Sequence, residues 1–480
     1  MKKYSYILLS GLLVLGACKK SQLDLFPYNQ KETSQAFTTQ ADVTLAVNGM
    51  YYGIRASGSY YVGTWNIFAD AIADNLILDK TGRGSFTTYS EWLYNPTNTY
   101  GMFSGGYTMT RRANAILENI DAFPAGSFKD NAKGEALAIR AMVYFDMSRI
   151  YSKTYLNASA TDSTLPYVTS TDPTIRPSKE PVKGFYDKVI ADLTAAYPLI
   201  NADNGVGRLN KAAVAGLLSR VLLYKGDWAG VISNANLALG ATPVLPDIAT
   251  FPKIWTDQSN AGVLFKVINN SVDNLPAQGV NYYQKVTISG VAYIKSEYVV
   301  EYNFYQLWQN NDVRKTSWIV TSPYLGNNYN NVIKYNGATG SPAGVQDAKV
   351  LRTAEVLLNR MEAEYMSNQQ VAALADLNLL KANRYTGFVN IVGLTGQPLL
   401  DEIYKERRFE LAFEGDRFFD LKRRNLPIVR DGTHGDLADG TGTPYPAIYL
   451  NMPVGDKRFN LPFPFSETNF NTNLKQNPGW

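Results

Sequence analysis

The sequence predicts an all-α body of helical hairpins broken by long aromatic loops, and three observations carry that prediction. Apolar residues recur at helical spacing in several segments. Two pairs of short segments rich in small residues are joined at polar turns. Between them lie two stretches without such spacing, filled with Tyr, Trp, Gly, Ser and Asn. Composition agrees with a large folded core: 480 residues, 45% hydrophobic and 18% charged, with a net charge of +4. So small a charge on so long a chain gives no electrostatic reason to expect nucleic acid.

In chain order, Lys2 and Lys3 precede a short apolar run, Ile7 to Leu15, and the run ends at Gly16-Ala17-Cys18. That is the pattern of a secretory leader, too short for a membrane span. Cys18 is the chain's only cysteine, and Leu15-Gly16-Ala17-Cys18 resembles the bacterial lipobox, in which cleavage leaves a lipidated N-terminal Cys. The expected organisation is a leader over 1–17, a lipidated polar tether over 18–35, and a body over 36–480. A few acyl chains hold a protein at a membrane because each buried CH₂ contributes about 0.8 kcal/mol.

Within the body, residues 111–122 place Ala113, Ile116, Leu117 and Ile120 on one helical face. Residues 133–151 are apolar around most of the rod, as expected of a buried helix. A third helix is expected over 184–199, ending at Pro198. Residues 210–225 and 227–239 form the clearest hairpin, with Gly226-Asp227-Trp228 at the turn, where Gly can take a positive φ. A similar hairpin is expected over 348–366 and 369–384. The loop regions are 57–110 and 269–345; Lys285 to Ser289 alternates like a short strand.

The residue types exclude several chemistries. One Cys and one His cannot supply a thiolate or multi-histidine zinc site. His434 lies in a Gly/Asp-rich stretch and is expected to be an ordinary surface-loop histidine. Asp431, Asp436 and Asp439 have the chemistry to hold a structural Ca²⁺, but a solvated acidic loop is the expectation, and no metal or other cofactor is predicted. Residues 401–424 carry Glu406, Glu410 and Glu414 at intervals of four. Paired carboxylates of this kind can serve glycoside cleavage. Here bases stand three or four residues away: Arg407 before Glu410, Arg417 after Glu414, Arg423 and Arg424 after Asp420. An ion-paired helical elbow is therefore expected within the 348–424 region, with Gly415 ending one helix and Asp416 capping the next.

Four segments together resemble the SusD/RagB family of outer-membrane nutrient-binding lipoproteins of the Bacteroidetes. They are Asp42 to Tyr51; Gly134 to Ala141 with Tyr144-Phe145-Asp146 and Arg149-Ile150-Tyr151; Leu351 to Leu358 with Glu362-Ala363-Glu364, leading to Glu406 to Leu421; and Leu461-Pro462-Phe463-Pro464 with Glu467, closing on Gln476 to Trp480. Phe463 and Trp480 depart from the family's commoner Ile and Tyr. The resemblance implies tetratricopeptide-like hairpins in a right-handed superhelical scaffold, and a place at the outer membrane beside a SusC-like TonB-dependent transporter. It also implies capture of oligosaccharides, or in some members peptides, without chemistry on the ligand. A lipid-anchored cleaving enzyme and a structural scaffold are the readings from other classes.

Aromatic rings suit sugar capture, because a flat apolar face accepts the C–H face of a sugar ring while polar neighbours bond its hydroxyls. The platform expected from the loop regions comprises Trp65, Trp92 and Tyr94 in the first and Tyr282, Tyr283 and Trp308 in the second, with Asn95 as polar partner.

Overall fold

Helices dominate the computed structural model, which describes residues 36–241, 244–270, 284–342 and 344–480. Cys18, the leader, the tether, Tyr282 and Tyr283 lie outside the described residues. The major helices are α1 (Gln40–Ala56), α2 (Trp65–Ala71), α3 (Thr87–Ser90), α4 (Met102–Asn119), α5 (Ser127–Tyr151), α6 (Val182–Leu199), α7 (Lys211–Lys225) and α8 (Trp228–Leu239). After these come α9 (Phe251–Ile254), α10 (Tyr302–Gln306), α11 (Val313–Trp318), α12 (Thr353–Met366), α13 (Gln370–Ala382), α14 (Gly396–Glu410), α15 (Arg417–Arg423) and α16 (Phe465–Phe470). By its contacts the chain divides into residues 1–46 and 47–480, the boundary falling inside α1.

The long helices of the second unit pack in succession: α4 on α5, α5 on α6, α6 on α7, α7 on α8, α8 on α12, and α12 on α13 and α14. The α7–α8 hairpin shows why the local sequence turns where it does. Asn210 caps α7 by accepting from Ala213 N at 2.9 Å. Gly226 ends it at φ +75°, and Asp227 caps α8 by accepting from Gly230 N at 3.0 Å. Both ends of the turn are thereby satisfied within four residues. α7 is buried from Ala213 to Tyr224, and α5 is buried almost throughout its second half.

Several boundaries depart from the periodicity. α4 begins at Met102, inside the expected loop region. α6 begins at Val182, two residues before the expected start, and ends as expected at Leu199, next to Pro198. Residues 348–352 form a strand instead of the start of a helix, because they pair antiparallel with Val263–Val267. α14 ends at Glu410, so Gly415 lies in the turn beyond it, and Asp416 occupies the cap position of α15 without a side-chain cap bond.

The two aromatic loop regions meet in one four-stranded sheet of order β1 (Leu76–Leu78), β5 (Tyr298–Val300), β7 (Asn327–Val332), β6 (Ile319–Tyr324). β1 (Leu76–Leu78) runs antiparallel to β5 (Tyr298–Val300), with Leu76 opposite Val300. β7 (Asn327–Val332) joins β5 at Val299 opposite Asn331 and forms a hairpin with β6 (Ile319–Tyr324). The expected strand near Lys285 is β3 (Gln284–Ile288), paired with β4 (Val291–Lys295), and the Val263–Val267 strand is β2. Beneath the sheet lies an aromatic core that includes Phe251, Trp255, Trp318, Phe409 and Phe413.

Candidate ligand-binding face

The structure buries most of the expected platform. Trp65 is stacked on Phe419 at 5.4 Å, meets Tyr60 edge-on, and has the Arg149 guanidinium 5.2 Å from its ring. Trp92 donates its indole N–H to Ile72 O at 2.9 Å, with Arg430 and Arg458 4.2 and 5.0 Å from the ring centre. Tyr94 donates its hydroxyl to Arg458 O at 2.6 Å and lies against Trp480. Trp308 packs on Phe409 at 4.5 Å within the core. All four are 4% exposed or less, so none offers a ring face to a ligand. They hold the loops together because they bury large apolar areas, and Trp92 and Tyr94 also place their polar tips on backbone acceptors. Asn95 is exposed, but its Oδ1 accepts from Thr97 N, Thr97 Oγ1 and Asn98 N, closing its own turn.

Another aromatic pair stands at the rim of the same region. β5 runs into α10, where Glu301 caps the helix by accepting from Asn303 N at 3.1 Å and Phe304 N at 2.8 Å. Phe304 is driven into the core, which leaves Tyr302 and Tyr305 half-buried and Asn303 exposed. Burial raises the Glu301 carboxyl, and its bonds to these two amides oppose that rise.

The partner of Tyr302 comes from the 431–445 loop. Asp431 accepts from Thr433 N and Oγ1, from His434 N, and from the Asn303 amide at 2.8 Å, and it also engages His434 Nδ1. Despite some burial, the Thr433 and His434 donors hold its carboxyl well below the usual range. The imidazole of His434 then stacks on Tyr302, centroids 4.5 Å apart and planes 24° off parallel. Gly440 makes this stack fit. It has φ +84°, and a Cβ there would lie 2.9 Å from His434 Cδ2 and 3.1 Å from Tyr302 Cδ2. Ala438 N, donating to Asn328 O, ties the loop to β7, and Asp436 accepts from Lys80 N and Thr443 N.

The rim thus presents a half-exposed aromatic stack with an amide and a carboxylate at its edge. That arrangement can hold a ring-shaped polyhydroxylated ligand; the hydroxyl beside the imidazole, Thr433 Oγ1 at 3.0 Å from His434 Nδ1, lies 2.7 Å from Asp431 Oδ1. His434 is a loop residue as expected, but it is one half of an aromatic stack, a role its loop setting does not reveal. Asp431, Asp436 and Asp439 are spent on separate turns, and among the described residues no cluster of three His, Cys, Asp or Glu side chains could hold a metal ion.

Another concavity lies elsewhere. A groove of about 390 Å³ runs between α4, residues 166–177 and α16, with Tyr107 and Phe470 among its walls. Phe470 is 68% exposed, and the Arg176 guanidinium sits 4.2 Å from its ring. Volume alone would favour this groove. The Tyr302–His434 face instead joins an aromatic stack to the Asn303 amide and the Asp431 carboxylate beside the sheet in which the two loop regions meet.

A helical-hairpin body carrying such a loop-built face defines a class of binding proteins on a rigid scaffold. Residues 278–480 match the SusD family model, and residues 23–223 match a model described as starch-binding associating with outer membrane. The chain belongs to the SusD/RagB family. It is 26% identical to SusD-like protein P2 of Formosa agariphila, over all of both chains. A putative sugar binding protein from Bacteroides vulgatus is 25% identical, with TM-score 0.81 over 93% of this chain and 100% of that one. A SusD superfamily protein from Bacteroides thetaiotaomicron, 23% identical, shares the fold at TM-score 0.80, over 92% and 100% of the respective chains.

Proposed function

We propose that this chain captures an oligosaccharide at the outer membrane and passes it, chemically unchanged, to a SusC-like TonB-dependent transporter. The observation that carries the ligand half of this reading is the Tyr302–His434 stack flanked by Asn303 and Asp431. An accessible ring face with hydrogen-bonding groups at its edge is what a sugar ring needs. The similarity to a putative sugar binding protein of Bacteroides vulgatus and to the starch-binding family model supports the same class. Residues 1–17 are read as a cleaved leader, Cys18 as the lipid-bearing residue, and 18–35 as the tether. No described helix is long and apolar enough to cross a membrane.

Probing an oligosaccharide array with the purified mature protein tests the ligand class. Binding to a subset of glycans, lost in Tyr302→Ala, is the expected result. Loss in Phe470→Ala with Tyr302→Ala unaffected would move the site to the 390 Å³ groove. Binding to peptides alone, or turnover of any glycan, would overturn the reading. For the anchor, palmitate incorporation should disappear in Cys18→Ala.

A further inference from the structure

The face built on Tyr302 continues along α10. Tyr305 lies three residues on, where side chains of one helix are neighbours, and it is half-buried, packed against the aromatic core. Its hydroxyl meets Thr321 Oγ1 of β6 at 3.3 Å, and Thr321, Gln306 and Asn310 are exposed. Lys315 of α11 stands over this second ring. Its ammonium is 4.8 Å from the Tyr305 ring centre and donates to Asn310 Oδ1 at 2.9 Å and to Trp308 O at 3.3 Å. An ammonium carries three N–H donors, so these two bonds leave one for a ligand. Both acceptors are neutral, and among the described residues Lys315 forms no ion pair.

The other charges around α10 are answered. Arg314, beside Lys315 in α11, is buried against Asp312, Glu406 and Glu410. Arg408, whose guanidinium lies 4.3 Å from the Phe304 ring, pairs with Asp74. At the start of α10 the Glu301 carboxylate caps the helix, and Asp431 is taken up by Thr433, His434 and Asn303. The acidic end of the face is therefore at Tyr302, and the basic end lies past Tyr305. Lys295 also forms no ion pair among the described residues and sits 4.8 Å from the Tyr324 ring centre. Tyr324, however, leaves β6 on the side opposite Thr321, because side chains alternate along a strand.

We infer that Tyr305, Thr321 and Lys315 form a second subsite, for a sugar residue bearing an anionic group, next to the ring held at Tyr302. This rests on the reading of the Tyr302 face as glycan-binding and names the class of glycan it takes. The Tyr305 and Thr321 hydroxyls bond the sugar hydroxyls, and the ammonium takes the anionic group in a charge-assisted hydrogen bond. Two existing bonds already fix that ammonium, so little side-chain freedom is lost on binding. The anionic group has two sources, a uronate carboxylate or a sulfate ester. An array of matched pairs, probed with the mature protein, separates them: uronate oligosaccharides beside their carboxyl-reduced forms, and sulfated ones beside their desulfated forms. At least one charged member should bind about tenfold more tightly than its neutral counterpart, with the advantage shrinking as salt rises. Lys315→Met should bring that member down to its counterpart, and Lys315→Arg should restore most of the advantage. Lys295→Met removes the same charge elsewhere and should leave the preference intact. No charged preference, its survival in Lys315→Met, or equal loss in Lys295→Met would overturn this assignment alone. Binding to no glycan, or full binding in Tyr302→Ala, would overturn the glycan reading of the face and this assignment with it.

Discussion

The C-terminal elbow and the 431–445 loop are both rich in acidic residues, and they differ in what answers the charge. In the elbow, the three glutamates at intervals of four are each met by buried bases from distant segments. Glu406 pairs with Arg314 at 2.7 Å and Lys381 at 3.0 Å and accepts from the Tyr385 hydroxyl. Glu410 accepts from Arg384, Arg352 and Arg314, and Glu414 from Lys334 and Arg352. Burial pushes the Glu410 carboxyl up, yet the three guanidiniums more than offset this and hold it well below the usual range. In the loop, Asp431 and Asp439 are answered mainly by nearby hydroxyls and backbone amides, and Asp431 also by the Asn303 amide. A charge closed inside the fold serves architecture; one held at the rim by short-range bonds stays open to a ligand.

The largest effect that sharpens this contrast is Glu410→Ala. It would leave Arg314, Arg352 and Arg384 buried without their common counter-charge, at a cost of about 3–5 kcal/mol. Chemical denaturation should show this loss; a change under about 1 kcal/mol would mean the elbow is not the structural hub described here.

Trp308→Ala follows. Removing a ring packed on Phe409 in the core should cost about 3–5 kcal/mol. Ligand affinity at a temperature where the variant remains folded should be unchanged. An affinity loss without a stability loss would restore Trp308 to the binding platform.

A smaller effect is pH-dependent. Burial pushes Asp70 up to about 7, against about 3.9 in an unfolded chain. Between those values the folded state holds the extra proton, so the Asp70 contribution is present below about pH 4 and lost as pH rises to 7. Glu410 and Asp420 run the opposite way: their depressed values make a contribution that is present above about pH 4 and lost as acid protonates them. Asp70→Asn should flatten the stability profile between pH 4 and 7, as read by denaturant midpoints. An unchanged profile would contradict the buried-carboxylate account.

Least in stability is Tyr302→Ala, expected within about 1 kcal/mol because the ring is half exposed. Its effect should fall on glycan affinity, by tenfold or more, consistent with about 1–3 kcal/mol for a stacked aromatic at a binding site.

The hairpins are legible in the sequence because Gly226 and Asp227 carry their own local physics, one by φ and the other by its cap. The ionic character of the elbow is legible too, and so are the Asp420–Arg423 pair at 2.6 Å and the Asp420–Arg424 pair at 3.4 Å. The other pairings are not, since Arg407 turns to Asp416 and Asp420 and Arg417 to Asp74, a partner more than 300 residues away. Residues 348–352 show the same limit: Ala-Lys-Val-Leu-Arg suits a helix until β pairing with Val263–Val267 decides otherwise. The aromatic face is the hardest to read. Trp65, Trp92 and Trp308 sit among Gly, Ser and Asn just as Tyr302 does, and composition does not reveal which rings the short helices α2 and α10 turn inward. The signals for Tyr302 were the acid before it, Glu301, and the single His of the chain, whose stacking only the tertiary structure reveals.

The most direct test of the central claim compares two variants in two measurements: affinity for an array-identified oligosaccharide by calorimetry, and stability by denaturation. The account predicts that Tyr302→Ala loses affinity and keeps stability, while Glu410→Ala loses stability and keeps affinity under conditions where it is folded. Full affinity in Tyr302→Ala, or an affinity loss in folded Glu410→Ala, would contradict it.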